Sequence, residues 1–278
     1  MGKIIWIASY PKSGNTWTRA FLLHLFMNPR EPLPLDEMGM MSPVDAGLHW
    51  FNDASGEERT KYTPEAAAAL RVAAQREIAK CFPATGFVKT HCCFLPWFGH
   101  PMFDLSLTAG AIYVVRNPLD IVASYASHVG RSLDDLVRVI TTENHEVPGS
   151  EKQAPQLLGS WSQNVLSWTK RPHPGLHVMR YEDMVATPSE TFRQLARFLQ
   201  VDPPAERLER AIEFSSFDRL RQIETDQGFA EKTEHQPTFF RSGRVGGWRE
   251  ELTPDQVKRV VAANREQMAR FGYLPDGM

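Results

Sequence analysis

Cysteine is scarce in this chain of 278 residues, which contains only Cys81, Cys92 and Cys93. Three cysteines, two of them adjacent, are too few for a disulfide framework, and such usage is typical of a reducing compartment. Long apolar runs are also missing, since none approaches the roughly 18–20 residues that span a bilayer. The first residues lack the extended apolar core of a signal peptide. We therefore expect a soluble, cytoplasmic protein that does not bind membranes.

The chain also lacks a strong net charge, because 31 Lys and Arg nearly balance 33 Asp and Glu to give -2. This balance argues against nucleic acid as a partner, so any anion site must come from a local arrangement of side chains. Metal ligands are not clustered either. The closest pair among the nine histidines, His173 and His177, is separated by Pro174-Gly175 and cannot share a helix face. We expect no bound metal.

Alternating strands and helices define the predicted fold. Short apolar segments typical of buried strands recur at residues 4–9, 86–90, 111–116 and 176–181. Helical patterns lie between and after them, at residues 17–26, 64–81, 118–129, 155–170, 188–199, 204–214 and 254–271. This order predicts an α/β fold, a P-loop-like three-layer sandwich with a central, mainly parallel sheet of about four to five strands flanked by helices. We expect one domain over 1–278, with covering loops at about 28–62, 141–152 and 221–244.

The segment from Ser9 to Trp17 joins the first predicted strand to the first helix. Gly14 turns the chain, so that unpaired N–H groups of the helix N-terminus converge at the positive end of the helix dipole. Lys12, Ser13 and Thr16 add one charge and two hydroxyls at the same place. The segment is not a Walker A loop, because its lysine precedes the glycine. It predicts a site for a phosphate ester.

Charged side chains also end two other predicted strands. Arg116 lies where a Mg²⁺-dependent P-loop enzyme would have an aspartate, and its planar guanidinium suits a phosphate. Ser124, in the next helix, can reach the same anion. Lys89 and His91 are two residues apart on extended chain and therefore face the same way. Because histidine readily takes a proton at neutral pH, His91 is a candidate general base.

The sequence is compatible with two roles for each of two further segments. Phe94, Trp97 and Phe98 follow the candidate base in a loop, where they either wall an apolar acceptor pocket or belong to the core beneath the loop. Residues 239–248 combine two arginines with three glycines. They form either a second anion clamp or a flexible basic loop without a ligand.

Taken in order, these motifs resemble those of the soluble sulfotransferases, which use 3′-phosphoadenosine 5′-phosphosulfate (PAPS). Five motifs carry the resemblance over nearly the whole chain: Tyr10-Pro11-Lys12-Ser13-Gly14-Asn15-Thr16-Trp17, Lys89-Thr90-His91, Tyr113-Val114-Val115-Arg116-Asn117-Pro118 with Ser124, Arg180-Tyr181-Glu182-Asp183, and Arg241-Ser242-Gly243 with Gly246-Gly247-Trp248. The start on the first strand and residues 159–168 look more like the bacterial enzymes that sulfate glycopeptide antibiotics.

The resemblance implies a role for each matching position. His91 would be the catalytic base, and Lys12 and Lys89 would stabilise charge during transfer. The donor nucleotide would be bound by Lys12, Ser13, Gly14, Asn15, Thr16, Trp17, Arg116, Ser124, Tyr181, Ser215, Phe217, Phe240, Arg241, Ser242 and Gly243. Two departures stand out. Cys92-Cys93 replaces the Leu-Pro that often follows the histidine, and the dimerisation segment of many animal members is not found after Trp248.

These observations together predict sulfuryl transfer from PAPS to a hydroxyl of a small-molecule or natural-product acceptor, without a metal. His91 would take the hydroxyl proton while Lys12 neutralises charge on the bridging oxygen and Lys89 steadies the sulfuryl oxygens. A P-loop nucleotide or small-molecule kinase, which needs Mg²⁺, and a non-catalytic nucleotide-binding protein are the alternatives. The residues leave open whether the acceptor is a phenol, a glycopeptide, a lipid or a sugar, and leave the oligomeric state open.

Overall fold

A parallel sheet forms the centre of the computed structural model, which describes residues 1–278. The strands of the chain are β1 (Lys3–Ser9), β2 (Thr85–Thr90), β3 (Thr108–Val115), β4 (Glu146–Val147), β5 (Gln156–Leu157) and β6 (Leu176–Arg180). Four of them pair in parallel in the order β2-β1-β3-β6, while β4 and β5 form a separate antiparallel pair. The carboxyl ends of β1, β2 and β3 therefore meet at one edge of the sheet.

Helices account for most of the remaining chain. They are α1 (Asn15–Met27), α2 (Glu37–Met41), α3 (Leu48–Ser55), α4 (Pro64–Lys80), α5 (Pro118–Val129), α6 (Leu133–Thr141), α7 (Trp161–Thr169), α8 (Tyr181–Ala186), α9 (Pro188–Phe198), α10 (Ala205–Phe214), α11 (Phe217–Gln227), α12 (Trp248–Glu251) and α13 (Pro254–Phe271). Proline occupies the first turn of α4, α5, α9 and α13, where its missing N–H leaves no helical bond unmade. No helix has the length and apolar character needed to cross a membrane.

The two faces of the sheet bury different sets of residues, because successive side chains of a strand point to opposite sides. On one face Trp6 and Ala8 join a cluster of 43 buried residues contributed largely by α4, α5, α7 and α13. On the other face Ile7 joins a cluster of 13 residues with α1, α9 and α10. Burial on both faces explains why the strands are apolar throughout. The predicted three-layer α/β sandwich with four parallel strands is confirmed.

The helix predicted over 155–170 is shorter than expected. Gln156 and Leu157 pair with β4 instead of starting a helix. The chain then turns at Gly159, whose φ of 68° lies in the left-handed region that favours glycine. Ser160 caps α7 by accepting a hydrogen bond from the Gln163 N–H. The segment predicted as one helix therefore consists of the short strand β5, a turn with a capping serine, and the helix α7.

Two of the three stretches expected to be irregular contain helix, and the third, 141–152, contains the strand β4. Residues 28–62 include α2 and α3, and α11 extends to Gln227, inside the stretch 221–244. Helices of five and eight residues are too short to show a clear 3.6-residue period. The prediction also missed α6 and α8.

Candidate active site

The loop between β1 and α1 forms a tight turn at the edge of the sheet. Lys12 and Gly14 both have positive φ, of 64° and 106°. A side chain at position 14 would clash with Tyr181, because an added Cβ would lie 2.8 Å from the ring. Asn15 fixes the turn by donating from Nδ2 to the Ile7 carbonyl at 2.8 Å. No side chain caps α1, so its first-turn N–H groups stay open to a ligand.

A cavity of about 540 Å³ opens above this turn, at the carboxyl ends of β1, β2 and β3. Ligands bind at this edge in open α/β sheets, and the volume is typical of a small-molecule site. Each of the three predicted covering stretches contributes to the walls. Most of the residues predicted from the sequence line the cavity: Lys12, Gly14, Asn15, Thr16, Trp17, Lys89, His91, Arg116, Ser124, Tyr181, Phe217, Phe240, Arg241, Ser242 and Gly243.

Five predicted residues do not line the cavity. Ser13 is fully buried beneath the turn, and its hydroxyl has no hydrogen-bond partner. Ser215 is also buried, and its hydroxyl donates to the Ala211 carbonyl at 2.8 Å instead of facing the cavity. The aromatic residues expected near the acceptor lie elsewhere. Phe94 and Trp97 pack in the core, Phe94 stacked on another ring, while Phe98 is exposed. Of the two roles left open for these aromatics, the structure favours packing over an acceptor wall.

His91 lies at the end of β2 with its two ring nitrogens in different environments. Nδ1 is 2.8 Å from the Ser9 carbonyl oxygen, which can only accept, so Nδ1 carries the proton. Nε2 is then an unprotonated acceptor; it has no partner in the protein, and the side chain lines the cavity. Asn164 holds the His91 carbonyl at 2.9 Å. Burial, reinforced by the Lys89 ammonium, lowers the pKa of His91 to about 3, so the ring is neutral at physiological pH.

Two lysines face the same space as His91. The Lys12 ammonium has no acidic partner and lies 3.9 Å from the centre of the Phe239 ring. Burial, with Arg116 and Lys89 nearby, lowers the pKa of Lys12 to about 7. Lys89 is buried as well, which lowers its pKa, but it donates to Glu231 Oε2 at 2.8 Å. The cavity is thus lined by two lysines whose ammonium groups are largely shielded from solvent.

Arg116 connects the turn after β1 to the glycine-rich segment 239–248. Its two terminal nitrogens donate to the Lys12 and Arg244 carbonyls at 2.9 and 3.1 Å, and the guanidinium lies 4.1 Å from the centre of the Tyr181 ring. Its Nε is buried without a partner. An unsatisfied donor in a cavity wall suits a ligand oxygen.

Two arginines of the glycine-rich segment are paired with glutamates. Arg241 donates to both oxygens of Glu251, at 2.6 and 3.0 Å, and Arg244 forms the same kind of pair with Glu250. Both pairs are partly exposed to solvent. A phosphate can replace either carboxylate at little cost, since exposed ion pairs contribute about 0–1 kcal/mol.

The sequence analysis missed three acidic residues that organise the site. Glu231 accepts hydrogen bonds from Lys89 and from Arg19. Asp120 accepts from the Gly246 and Trp248 N–H groups, and Glu224 from those of Phe239 and Phe240. Nothing in the sequence around these residues signals such roles, because the partners of each carboxylate lie at least 15 residues away along the chain.

The rest of the cavity wall combines aliphatic and uncharged polar side chains. Val44, Val147 and Leu158 line it together with Gln153 and Gln156. Val44 and Val147 lie on two of the stretches predicted to cover the pocket. Gln153, Gln156 and Leu158 lie just beyond the second stretch, and the last two fall where a helix was predicted. Mixed walls of this kind accept an apolar molecule that carries hydrogen-bonding groups.

Comparison with known proteins assigns the chain to a family. A family model described as "Sulfotransferase domain" matches residues 3–272. Sulfotransferase 1A1 of Mus musculus is 26% identical over 269 residues, covering 92% of this chain and 81% of the relative. The chain belongs to the sulfotransferase domain family, and the predicted class of enzyme is thereby confirmed.

Solved structures share the fold. A retinol dehydratase in complex with androsterone and inactive cofactor PAP matches with a TM-score of 0.66 and 17% identity, over 99% of this chain and 83% of that one. A mouse sulfotransferase complexed with PAP matches with a TM-score of 0.65 and 18% identity, over 96% and 84% of the two chains. At this identity the likeness supports the architecture, while the cavity residues described above carry the chemistry.

Proposed function

We propose that this sulfotransferase transfers the sulfuryl group of PAPS to a hydroxyl of a small-molecule or natural-product acceptor, with His91 as the general base. The observation that carries the proposal is the state of His91, whose Nδ1–H is fixed by Ser9 while the unprotonated Nε2 has no partner in the protein. The lysines beside it supply positive charge where a sulfuryl group would need it. The PAP named in two similar structures supports the donor.

The residues of the cavity fit an adenosine bisphosphate. The open N-terminus of α1 and Lys12 suit the 5′ end, and the unsatisfied Nε of Arg116 suits the 3′-phosphate together with Ser124 and the exchangeable Arg241. Trp17, Tyr181 and Phe217 line the wall where an adenine ring would lie. The donor supplies an activated sulfuryl group when it is bound.

In the proposed reaction the protein moves one proton and stabilises one developing charge. His91 Nε2 accepts the proton of the acceptor hydroxyl as that oxygen becomes the nucleophile. Lys12 neutralises the charge that builds on the leaving 5′-phosphate, and Lys89 stabilises the sulfuryl oxygens. Because a neutral imidazole is present throughout the physiological pH range, the base is ready without a preceding deprotonation.

The three carboxylates that line the cavity argue against the kinase alternative. Asp120 uses both oxygens for backbone N–H groups, Glu231 is bound by Lys89 and Arg19, and Glu251 is bound by Arg241. A phosphotransferase of the P-loop type needs a carboxylate to orient Mg²⁺. Here the position after β3 is Arg116.

The acceptor that we propose is an uncharged molecule with at least one hydroxyl. Its support is the wall of Val44, Val147 and Leu158, with Gln153 and Gln156 as hydrogen-bonding groups.

We further propose that the whole chain acts as one domain, because the lining residues run from Pro11 to Glu251. A cytoplasmic location is supported by the three unpaired cysteines.

The test is transfer of label from PAPS that is radiolabelled in sulfur. The purified full chain is incubated with EDTA and a panel of phenols, aliphatic alcohols and glycosides, and both labelled product and PAP are measured. We expect transfer to at least one hydroxyl acceptor that EDTA does not reduce. A chain that fails to bind PAP in calorimetry, or that transfers phosphate from ATP only with Mg²⁺, would contradict the proposal.

The variant His91→Ala tests the base. We expect kcat to fall by about 10²–10⁴-fold, the usual contribution of a positioned base, while the affinity for PAP stays the same. His100→Ala is the matched control, because His100 is exposed in the loop that follows. Wild-type turnover by His91→Ala would remove this residue from the mechanism.

A further inference from the structure

We propose that Glu231 is a positioning residue for sulfuryl transfer, whose carboxylate holds the Lys89 ammonium at the transfer site. The proposal rests on the function proposed above, because it assigns Lys89 to the sulfuryl oxygens. Glu231 lies in the segment between α11 and α12 and reaches the end of β2, 142 residues earlier in the chain.

The carboxylate of Glu231 is held on both sides. Oε2 accepts from Lys89 Nζ at 2.8 Å, and Oε1 accepts from Arg19 Nη1 at 2.5 Å. Arg19, only 1% exposed, is in turn fixed because it donates to the hydroxyl and the carbonyl of Ser42 at 2.8 and 3.2 Å. The direction of the Lys89 ammonium is therefore set by a rigid frame built from α1 and the end of α2.

Lys89 has no other acceptor in the protein. Glu231 is the only hydrogen-bond and ion-pair partner of Lys89 Nζ, although the side chain is largely buried. Removing one partner of such a pair leaves an uncompensated charge, which is costly in a buried site. A lysine ammonium on a flexible four-carbon stem would then turn toward solvent or lose its proton.

The surrounding charges make this counter-charge necessary. The charged and titratable groups that face Lys89 are Lys12, Arg19, Asp45, His91, His128 and Glu231. Asp45 is already bound by Arg71 and by the Thr90 hydroxyl. Burial alone would raise the pKa of Glu231, but Lys89 and Arg19 outweigh it and hold that pKa well below its ordinary value. Glu231 is thus charged whenever the protein is folded at physiological pH, and it keeps Lys89 protonated.

A competing role for the same contact makes the opposite prediction. If Glu231 merely occupied the place of the donor's anionic groups, its removal would tighten nucleotide binding and leave turnover unchanged. If it positions Lys89, removal lowers kcat, whatever change in PAP affinity the loss of one negative charge also causes. The two roles are separated by measuring kcat and PAP affinity on the same variant.

The experiment compares wild type with Glu231→Gln, Glu231→Asp and the control Glu234→Gln, whose residue is exposed in the same segment and contacts only His235. PAPS and an acceptor from the panel are used for kcat between pH 5 and 9, and PAP for calorimetry. We expect Glu231→Gln to lower kcat at pH 7.5 by at least about tenfold. Because Lys89 then loses its proton at lower pH, the alkaline fall of kcat should move to lower pH than in wild type. Glu231→Asp should restore most of the rate.

The outcomes are distinct from failure of the proposed function, which would show as absent transfer or absent PAP binding in wild type. Unchanged kcat in Glu231→Gln, with or without tighter PAP binding, would overturn the positioning role. So would a loss of kcat that is equal at every pH, because a structural defect does not shift a pH profile. The charge of His91 is not a confounding factor, since this group does not titrate between pH 5 and 9. Lys12, with its pKa of about 7, does titrate in this range, so the shift in kcat is compared with the pH profile of PAP affinity, which reports on Lys12.

Discussion

Asp120 offers the most direct test of how the glycine-rich segment is held over the cavity. Its carboxylate lies in the first turn of α5 and is 4% exposed. It accepts hydrogen bonds from the Gly246 N–H at 2.8 Å and from the Trp248 N–H at 3.0 Å. These bonds tie the segment that carries Arg241 to the helix that carries Ser124, so both walls of the proposed 3′-phosphate site depend on them.

The substitution Asp120→Asn removes one of these two hydrogen bonds and the negative charge of the acceptor. An amide offers one acceptor oxygen, and its NH₂ group faces the second backbone N–H, which is left unpaired in a buried place. A hydrogen bond to a charged group contributes about 1.5–3 kcal/mol, and an unsatisfied buried donor costs about 1–3 kcal/mol. We therefore expect the free energy of unfolding to fall by about 2–4 kcal/mol.

Binding of PAP gives the decisive readout for this variant. A loosened segment should weaken PAP affinity by about ten- to a hundredfold, which corresponds to roughly 1.4–2.8 kcal/mol. Loss of one negative charge beside an anion would act in the opposite direction and strengthen binding. Denaturant unfolding and calorimetry are run with Asp134→Asn as control, since Asp134 pairs with Arg259 on the surface and should contribute under about 1 kcal/mol. Unchanged or tighter PAP binding by Asp120→Asn would refute the reasoning.

Two further predictions concern the cations of the cavity. Because the pKa of Lys12 is lowered to about 7, this lysine is protonated below pH 7 and neutral above it, so PAP affinity should fall as pH rises from 7 to 9. Below about pH 6 the affinity should fall again as phosphate oxygens gain a proton, and a flat calorimetric profile up to pH 9 would contradict the lowered pKa. Arg116→Ala should weaken PAP binding by about ten- to a hundredfold and Arg116→Lys should restore little, because a lysine lacks the planar fork. Wild-type affinity in Arg116→Ala would remove it from the phosphate site.

The parts of the site that the sequence predicted share one physical property. Lys12 lies in the turn after β1, Lys89 in the last two residues of β2 and Arg116 directly after β3, and parallel strands bring their carboxyl ends to one edge. Once the strands were identified by their apolar composition, convergence of these residues followed from topology alone. His91 follows the same rule, since it lies one residue beyond β2.

The carboxylates that organise the cavity could not be found in this way. Glu231 pairs with Arg19 across 212 residues, and Asp120 holds Gly246 across 126 residues. Neither pairing follows from sheet order, because these partners come from segments outside the strands. Aspartate in the first turn of a helix is also common for local electrostatic reasons, so its presence carries no long-range information. The role of Phe94, Trp97 and Phe98 stayed open in the sequence for a related reason, since a loop of large apolar residues looks alike whether it lines a pocket or closes a core.

The carboxylates around the cavity differ in how readily an incoming anion can replace them, and this difference assigns their roles. The Arg241–Glu251 pair is exposed by more than a third on each side, so solvent screens it and a phosphate can take over Arg241 at little cost. Glu231 instead lies between a fully buried arginine and a largely buried lysine, where breaking either contact leaves a buried cation without its counter-charge. Under the proposed function, the first pair would therefore open when nucleotide binds, while the second would persist through the reaction. A site that holds several cations before its anionic ligand binds needs both kinds of ion pair. An exposed pair can be exchanged for the ligand, and a buried pair keeps the remaining cations in position.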